Sequence, residues 1–131
     1  MTRSTDAEKA MNYLKKADGS LRMAKIAIRE KEYDSAVMGA VHGAINALDA
    51  LTTSYLSKRA SGAHTDVLSL VKGIFNSAEY QDVQKQFTSL ISMKNASEYQ
   101  PDLMNDKEAE NAVRWAERII SRVKAKLKDL K

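Results

Sequence analysis

The 131-residue chain has no cysteine, one proline and five glycines. The absence of cysteine excludes disulfides and thiolate metal sites, and it is typical of the reducing cytoplasm, which is the expected location. So little proline and glycine leaves few places at which a helix is interrupted. The longest apolar stretch, AVMGAVHGAINALDAL, contains polar side chains that would be costly in hydrocarbon. We therefore expect no membrane segment.

The charge is mildly positive, with a formal net charge of +4. A balance of this size suits a merely soluble protein as well as one that binds nucleic acid, so the distribution of charge is more informative. Toward the end of the chain, three arginines recur every fourth residue: Arg114, Arg118 and Arg122. On a helix these side chains share one side, where they either face solvent or contact phosphate.

The spacing of apolar residues predicts an all-α fold, an up-and-down bundle of four to five helices in one domain over residues 1–131. The first helix is predicted to start at Thr5, with a glutamate three residues later to complete a capping box. Asp34 is predicted to cap a second helix that ends near Tyr55, before a loop of sequence SKRASGAH. A tight turn near Glu32 should place these two helices antiparallel.

The second half of the chain predicts three further helical pieces. A short helix is expected over residues 67–75, followed by a break near Asn76. The next helix leads into the segment SMKNASEYQPD and ends near Tyr99, because the residue before Pro101 is pushed out of helical geometry. Asn105, again with a glutamate three residues later, is predicted to cap a last helix that runs almost to the end.

The second predicted helix carries three bands of side chains rather than two. One band is large and apolar. Another contains only small residues, which would let a helix approach closely, either from the same bundle or from a second copy of the chain: Gly39, Gly43, Ala47 and Ala50. We favour the second copy for this band.

Between these bands run the polar side chains of His42, Asn46 and Asp49. They form either a hydrogen-bonded seam at the edge of the core or the rim of a cleft. No metal or cofactor is predicted, because one histidine and one aspartate supply two ligands where zinc needs three or four. His64, in the loop, joins this group only if the fold brings it near.

Four stretches carry a resemblance to a known family: HGAINALDAL, SGAH, LISMKNASEYQPD and EAENAVRWAERII. In order and spacing, over roughly residues 5 to 127, the chain resembles the HEPN superfamily of small helical domains. The resemblance implies a helical bundle that commonly forms homodimers. Active members are metal-independent ribonucleases with an arginine and, about four to six residues later, a histidine in a cleft shared by two copies. Many are toxins paired with a nucleotidyltransferase or other antitoxin protein, and others are RNA-binding or protein-binding modules.

Carried over to this chain, the resemblance puts Lys94 at the arginine position, Asn95 at the polar residue after it, and Tyr99 at the histidine position. Lysine offers phosphate a point charge without the two-pronged fork of arginine. A phenol, whose ordinary pKa is about 10, holds its proton at neutral pH and is a poor general base. The plainer alternative is a helix end with Lys94 in solvent and the Tyr99 ring packed on the core.

These departures predict a non-catalytic or weakly catalytic module that dimerises and binds RNA or a companion protein, in a toxin–antitoxin setting. The alternative is an active metal-independent endoribonuclease with Lys94 on the phosphate and His42 or His64 as the base. A third alternative is a purely structural oligomer. We expect the polar side chains of the second helix to lie beside Lys94 and Tyr99, and Trp115 to anchor the core rather than stack on bases.

Overall fold

Five α-helices make up the computed structural model, which describes residues 3–58 and 65–130. The helices are α1 (Arg3–Arg29), α2 (Tyr33–Leu56), α3 (Thr65–Val71), α4 (Ser77–Tyr99) and α5 (Asp106–Lys128). The predicted all-α bundle is confirmed, and α2 lies at its centre in contact with each of the other four helices. None of the described helices combines the length and the apolar character needed to cross a bilayer.

Apolar side chains from α2, α4 and α5 meet in a continuous core. The largest fully buried residues include Phe87, Leu48, Leu51, Leu90 and Ile119. Burying a side chain of this size contributes about 1.5–3 kcal/mol relative to leaving it exposed. Trp115 is partly buried and packs against this cluster, so the prediction that it anchors the core is confirmed.

The glycines of α2 face α1 of the same chain. A Cβ atom added to Gly39 would stand 3.1 Å from the Cβ of Ala24, and one added to Gly43 would stand 3.3 Å from the carbonyl oxygen of Ala17. The lack of side chains therefore lets the two helices approach closely. Our preference for a second copy against this band is wrong, because α1 occupies the place that the copy would need.

Lys31 closes the turn between α1 and α2 in the left-handed conformation, with φ at 61°. The N–H of Glu32 donates to the carbonyl of Ala27 at 2.8 Å, which satisfies one of the last carbonyl groups of α1. Glycine is the residue that most easily adopts this conformation. The predicted tight turn near Glu32 is confirmed, although a lysine holds it.

Reciprocal side-chain caps begin two of the helices. At α5, the Asn105 side chain accepts the N–H of Glu108, and the Glu108 carboxylate accepts the N–H of Asn105, as predicted. Asn76 and Glu79 form the same box at α4, where the sequence marked only a break. Each box satisfies two backbone donors that a helix start leaves open.

The other two predicted caps are wrong. Helix α1 already runs from Arg3, so Thr5 lies inside it. Helix α2 begins at Tyr33, and no side chain caps it. Asp34 instead accepts the backbone N–H of Met104 at 2.9 Å, so it ties the α4–α5 connection to the start of α2. Helix α4 ends at Tyr99 as predicted, whereas the third helix is offset from the predicted 67–75 and ends four residues earlier.

Candidate functional site

Lys94, Asn95 and Tyr99 lie in the last two turns of α4. The Lys94 ammonium forms an ion pair with the Glu98 carboxylate, and only 17% of the lysine side chain is exposed. Asn95 is exposed, and Tyr99 is 77% exposed at the helix end. The alternative of a solvated lysine and a core-packed tyrosine is wrong on both counts, since the lysine is paired and the ring stands in solvent.

The pairing of Lys94 limits what this segment offers to a ligand. Partly exposed ion pairs between residues one helical turn apart are worth about 0.3–0.5 kcal/mol, so a phosphate can displace Glu98. The phosphate would nevertheless have to compete with the Glu98 carboxylate for Lys94, and the displaced carboxylate would stay close to the phosphate and repel it. The exposed Tyr99 phenol adds a hydrogen-bond donor but no base. In this segment the positive charge of Lys94 is therefore paired rather than free.

His42 and Asn46 line an open groove between α1 and α2. We call it the basic groove, because its lining includes Lys16 and Arg22 along with His42. The Asn46 amide donates to the backbone carbonyl of His42 at 2.9 Å, which holds that side chain against its own helix. The polar stripe predicted on α2 is thus partly the rim of a groove, but its other wall is α1.

No acidic side chain lines the basic groove. Neither Lys16 nor Arg22 forms an ion pair with any residue of the described part of the chain, whereas other cations are neutralised. Lys124, for example, pairs with Asp18 at 2.9 Å. The groove therefore presents uncompensated positive charge, together with hydrogen-bond donors, to an anion.

The structure does not assemble the predicted site residues in one place. The basic groove takes its lining from α1 and α2 alone, so Lys94 and Tyr99 on α4 are not part of it. Asp49 is buried and does not line the groove. His64 lies outside the described residues. Within the described residues, no group of three or more histidines and acidic side chains is arranged to hold a metal ion.

A second groove lies between α4 and α5. We call it the charged groove, because it is lined by residues of both signs and by two uncharged polar side chains: Asp82, Gln86, Glu117, Arg118, Ser121 and Arg122. Its two carboxylates already have partners. Arg122 pairs with Asp82 at 2.6 Å, and Lys25 pairs with Glu117 at 2.6 Å.

The predicted arginine stripe is divided between different environments. Arg114 donates to the Asn111 side chain at 2.9 Å and does not line the charged groove. Arg118 is exposed and, among the described residues, has no acidic partner. Arg122 is neutralised by Asp82. The three guanidinium groups therefore do not form one free phosphate-binding surface.

Two groups with shifted pKa values, Glu79 and Tyr55, contact Lys126 in the last turn of α5. Hydrogen bonding from the Asn76 backbone N–H, followed by the Lys126 side chain, lowers the pKa of Glu79. Burial, followed by the charge of Asp129, raises the pKa of Tyr55, whose hydroxyl donates to the Lys126 carbonyl at 2.8 Å. These contacts hold α5 against α2 and α4, and neither group lines the basic or the charged groove.

A family model described as "HEPN domain" matches residues 10–126. The chain belongs to the HEPN domain family. The crystal structure of TT1696 from Thermus thermophilus resembles this HEPN domain with a TM-score of 0.73 and 20% sequence identity, over 90% of this chain and 98% of that one. At this identity the likeness shows the fold alone. No curated protein matches the chain.

Sequence analysis missed Lys16, Ser20 and Arg22, which line the basic groove beside the two predicted residues. A signal was present, because Lys16 and Ser20 are one helical turn apart and so share a side of α1. If α1 and α2 are antiparallel neighbours, that side faces the polar stripe of α2. Combining the two patterns would have pointed to the groove.

Proposed function

We propose that this HEPN domain is a non-catalytic RNA-binding module that acts as a homodimer. The observation that carries the proposal is the basic groove, where Lys16, Arg22 and His42 meet without an acidic neighbour. Cationic side chains that neutralise phosphates release counterions, and this supplies most of the sequence-independent affinity for nucleic acid. Hydrogen-bonding side chains such as Asn46 can add contacts to the sugar.

We infer the absence of catalysis from the segment at the end of α4. Cleavage requires a proton acceptor within about 3 Å of the reacting hydroxyl and a cation on the phosphate. Lys94 is paired with Glu98, and Tyr99 is an exposed phenol. Both departures from the family pattern therefore weaken the same reaction.

An active metal-independent endoribonuclease is the second candidate, and one observation favours it. The basic groove holds an exposed imidazole, that of His42, beside two cations, so a bound phosphodiester would have a base near it. The test is incubation of purified protein with single-stranded RNA and with transfer RNA in EDTA at neutral pH. We expect both RNAs to stay intact. Cleavage that disappears in His42→Ala would replace the non-catalytic proposal with this one.

RNA binding is tested with labelled single-stranded RNA and two double variants. Lys16→Glu with Arg22→Glu reverses the groove charges, and both side chains are exposed, so the fold is retained. Arg29→Glu with Lys107→Glu changes the net charge equally at exposed positions outside the groove. We expect the affinity to fall at least about tenfold in the groove variant and less than about threefold in the control. Equal losses, or no binding by the wild type, would remove the groove from the proposal.

A companion protein, such as a nucleotidyltransferase or other antitoxin, is the other partner that the family suggests. RNA is favoured here because the basic groove is cationic, whereas the centres of protein interfaces are depleted in charged residues. Co-expression with the product of a neighbouring gene, followed by co-purification, checks this choice. A protein that is retained by the wild type and lost by the groove variant would assign the groove to that protein instead.

A further inference from the structure

A third groove continues the basic groove along the same seam between α1 and α2. We call it the apolar groove, because most of its surface is apolar and its α1 side is formed largely by four apolar residues: Met23, Ala24, Ile26 and Ala27. Met23 and Gly39 line both grooves, so the two grooves form one continuous trough. The Met23 side chain is 60% exposed at the point where they join.

The trough changes its chemistry along its length. Lys16 and Arg22 line one end, Met23 lies in the middle, and Glu30 and Glu32 line the end beside the α1–α2 turn. None of these four charged side chains forms an ion pair with another residue of the described part of the chain. Arg22 lies eight positions before Glu30, which corresponds to a rise of about 12 Å along a helix. Cations, an apolar surface and carboxylates therefore follow one another over a distance that one nucleotide can span.

An unstacked nucleotide has groups that match this order. Its phosphate is an anion for the two cations, and the flat face of its base is an aromatic surface with which a thioether makes favourable contacts. The amino group of cytosine donates hydrogen bonds, and a carboxylate is a suitable acceptor for them. In uracil a carbonyl oxygen stands in that place, and the single ring N–H lies between two carbonyl oxygens. A carboxylate therefore favours cytosine over uracil.

We propose that the apolar groove receives one unstacked base of a bound RNA strand, and that the carboxylates at its end select a base with an amino group. The ring lies on Met23, and the amino group donates to Glu30 and Glu32. The phosphates stay at the other end of the trough, because the carboxylates repel them. The inference rests on the proposed function for the binding of RNA in the basic groove, and it adds a preference for particular bases.

Other occupants fit the apolar groove less well. An acyl chain long enough to fill it would displace water from Glu30 and Glu32, and charges that lose water without a hydrogen-bond partner oppose binding. The cavity volume of about 270 Å³ lies below the roughly 300–1,000 Å³ of pockets for drug-sized ligands. This size suits one ring system rather than a peptide helix, which needs a groove several turns long. Duplex RNA keeps its bases stacked and paired, so it offers no free base to the groove.

The test compares the binding of oligocytidine and oligouridine of equal length to the whole chain. The two oligomers carry the same phosphate charge, so a difference in affinity reports the base alone. We expect oligocytidine to bind at least about fivefold more tightly. Met23→Ala should weaken its binding about two- to tenfold, because the contact between the thioether and the base is lost. Met11→Ala, at a 53% exposed position of α1 outside both grooves, should bind like the wild type.

A second variant tests the carboxylates. Glu30→Gln with Glu32→Gln replaces them with amides, which donate as well as accept, so the preference for oligocytidine should fall below about twofold. The loss of negative charge raises the affinity for both oligomers together, and the ratio of the two affinities is therefore the measurement. Glu8→Gln with Glu110→Gln, at exposed positions outside both grooves, changes the net charge equally and should keep the preference.

Three results would overturn the inference: equal binding of the two oligomers by the wild type, a Met23→Ala variant that binds like Met11→Ala, or a glutamine variant of Glu30 and Glu32 that keeps the preference. All the substituted side chains are exposed, and circular dichroism checks that each variant is folded. If the two oligomers bind equally but reversal of the groove charges at Lys16 and Arg22 weakens both, this inference fails and the proposed function stands. If the wild type binds neither oligomer, both fail.

Discussion

Gly43 of α2 lies directly against Ala17 of α1, so that a methyl group at position 43 would stand 3.3 Å from the Ala17 carbonyl oxygen. A leucine has no room there. We expect Gly43→Leu to lower the free energy of unfolding by about 1–3 kcal/mol, as an overpacked core does, because α1 must shift outward. Urea denaturation measures the loss.

The matched control is Gly73→Leu, where an added Cβ meets no atom within 4 Å. That variant should stay within about 0.5 kcal/mol of the wild type. Equal destabilisation of the two variants would contradict the close packing of α1 on α2.

Lys31 holds the α1–α2 turn in the left-handed region. We expect Lys31→Gly to raise the free energy of unfolding by up to about 1 kcal/mol, because a residue with a side chain is strained in this conformation and glycine is not. Lys15→Gly, at an exposed position inside α1, should instead lower it by about 1 kcal/mol. Thermal unfolding measures both changes. A lower stability of Lys31→Gly than of the wild type would show that Lys31 is not strained.

Gln86→Leu removes the unpaired buried acceptor of α4. We expect the free energy of unfolding of the variant protomer to rise by about 1–3 kcal/mol, because an unsatisfied buried polar group destabilises a protein by about that amount. The measurement is denaturant unfolding at a protein concentration too low for self-association. Gln84→Leu, at an exposed position of the same helix, should change stability by less than about 0.5 kcal/mol. A destabilised Gln86→Leu protomer would mean that the amide is satisfied after all.

Glu79 links stability to pH. Its folded pKa is lowered, first by the Asn76 N–H and then by Lys126, so its stabilisation is present above the unfolded carboxyl pKa and is lost as pH falls through the folded value. We expect Glu79→Gln to be less stable than the wild type at neutral pH, by about 1 kcal/mol or less. The gap should begin to narrow as pH falls below the ordinary glutamate pKa of about 4.3 and should vanish below the lowered folded pKa. A gap that is the same at neutral and at acidic pH would contradict the charge dependence.

Lys16 should contribute to the salt dependence of RNA binding. If its ammonium neutralises one phosphate, Lys16→Ala reduces the slope of log affinity against log salt by about 0.7 for a single strand. Lys107→Ala, which removes an exposed lysine outside the basic groove, should leave the slope unchanged. Titrations at several salt concentrations give both slopes, and an unchanged slope for Lys16→Ala would exclude a phosphate contact there.

The parts of the fold predicted correctly depend on neighbours in sequence. Apolar periodicity located the helices, Asn105 with Glu108 located the start of α5, and Pro101 located the end of α4. The same capping rule failed at Asp34, because its carboxylate accepts an N–H from Met104, 70 residues away. A rule based on neighbours in sequence does not account for a hydrogen-bond donor that is distant in sequence and close in the fold.

The candidate site was less predictable, because it depends on which helix faces which. The small-residue band of α2 was recognised, but pairing it with α1 rather than with a second copy requires the three-dimensional arrangement. The cluster of charge near the end of the chain pointed to the α5 arginines. In the structure, Arg122 is neutralised by Asp82, 40 residues earlier, and the uncompensated pair of cations lies on α1.

The close packing of α1 against α2 also affects how the chain folds. The two helices are consecutive and joined by a short turn, so their contacts close only a small loop and lose little chain entropy. We expect this hairpin to nucleate folding, so that substitutions between α1 and α2 slow refolding, whereas substitutions in α5 mainly speed unfolding. During synthesis the glycine side of α2 would then be hidden before α5 leaves the ribosome, which protects the nascent chain from pairing with its neighbours through that side.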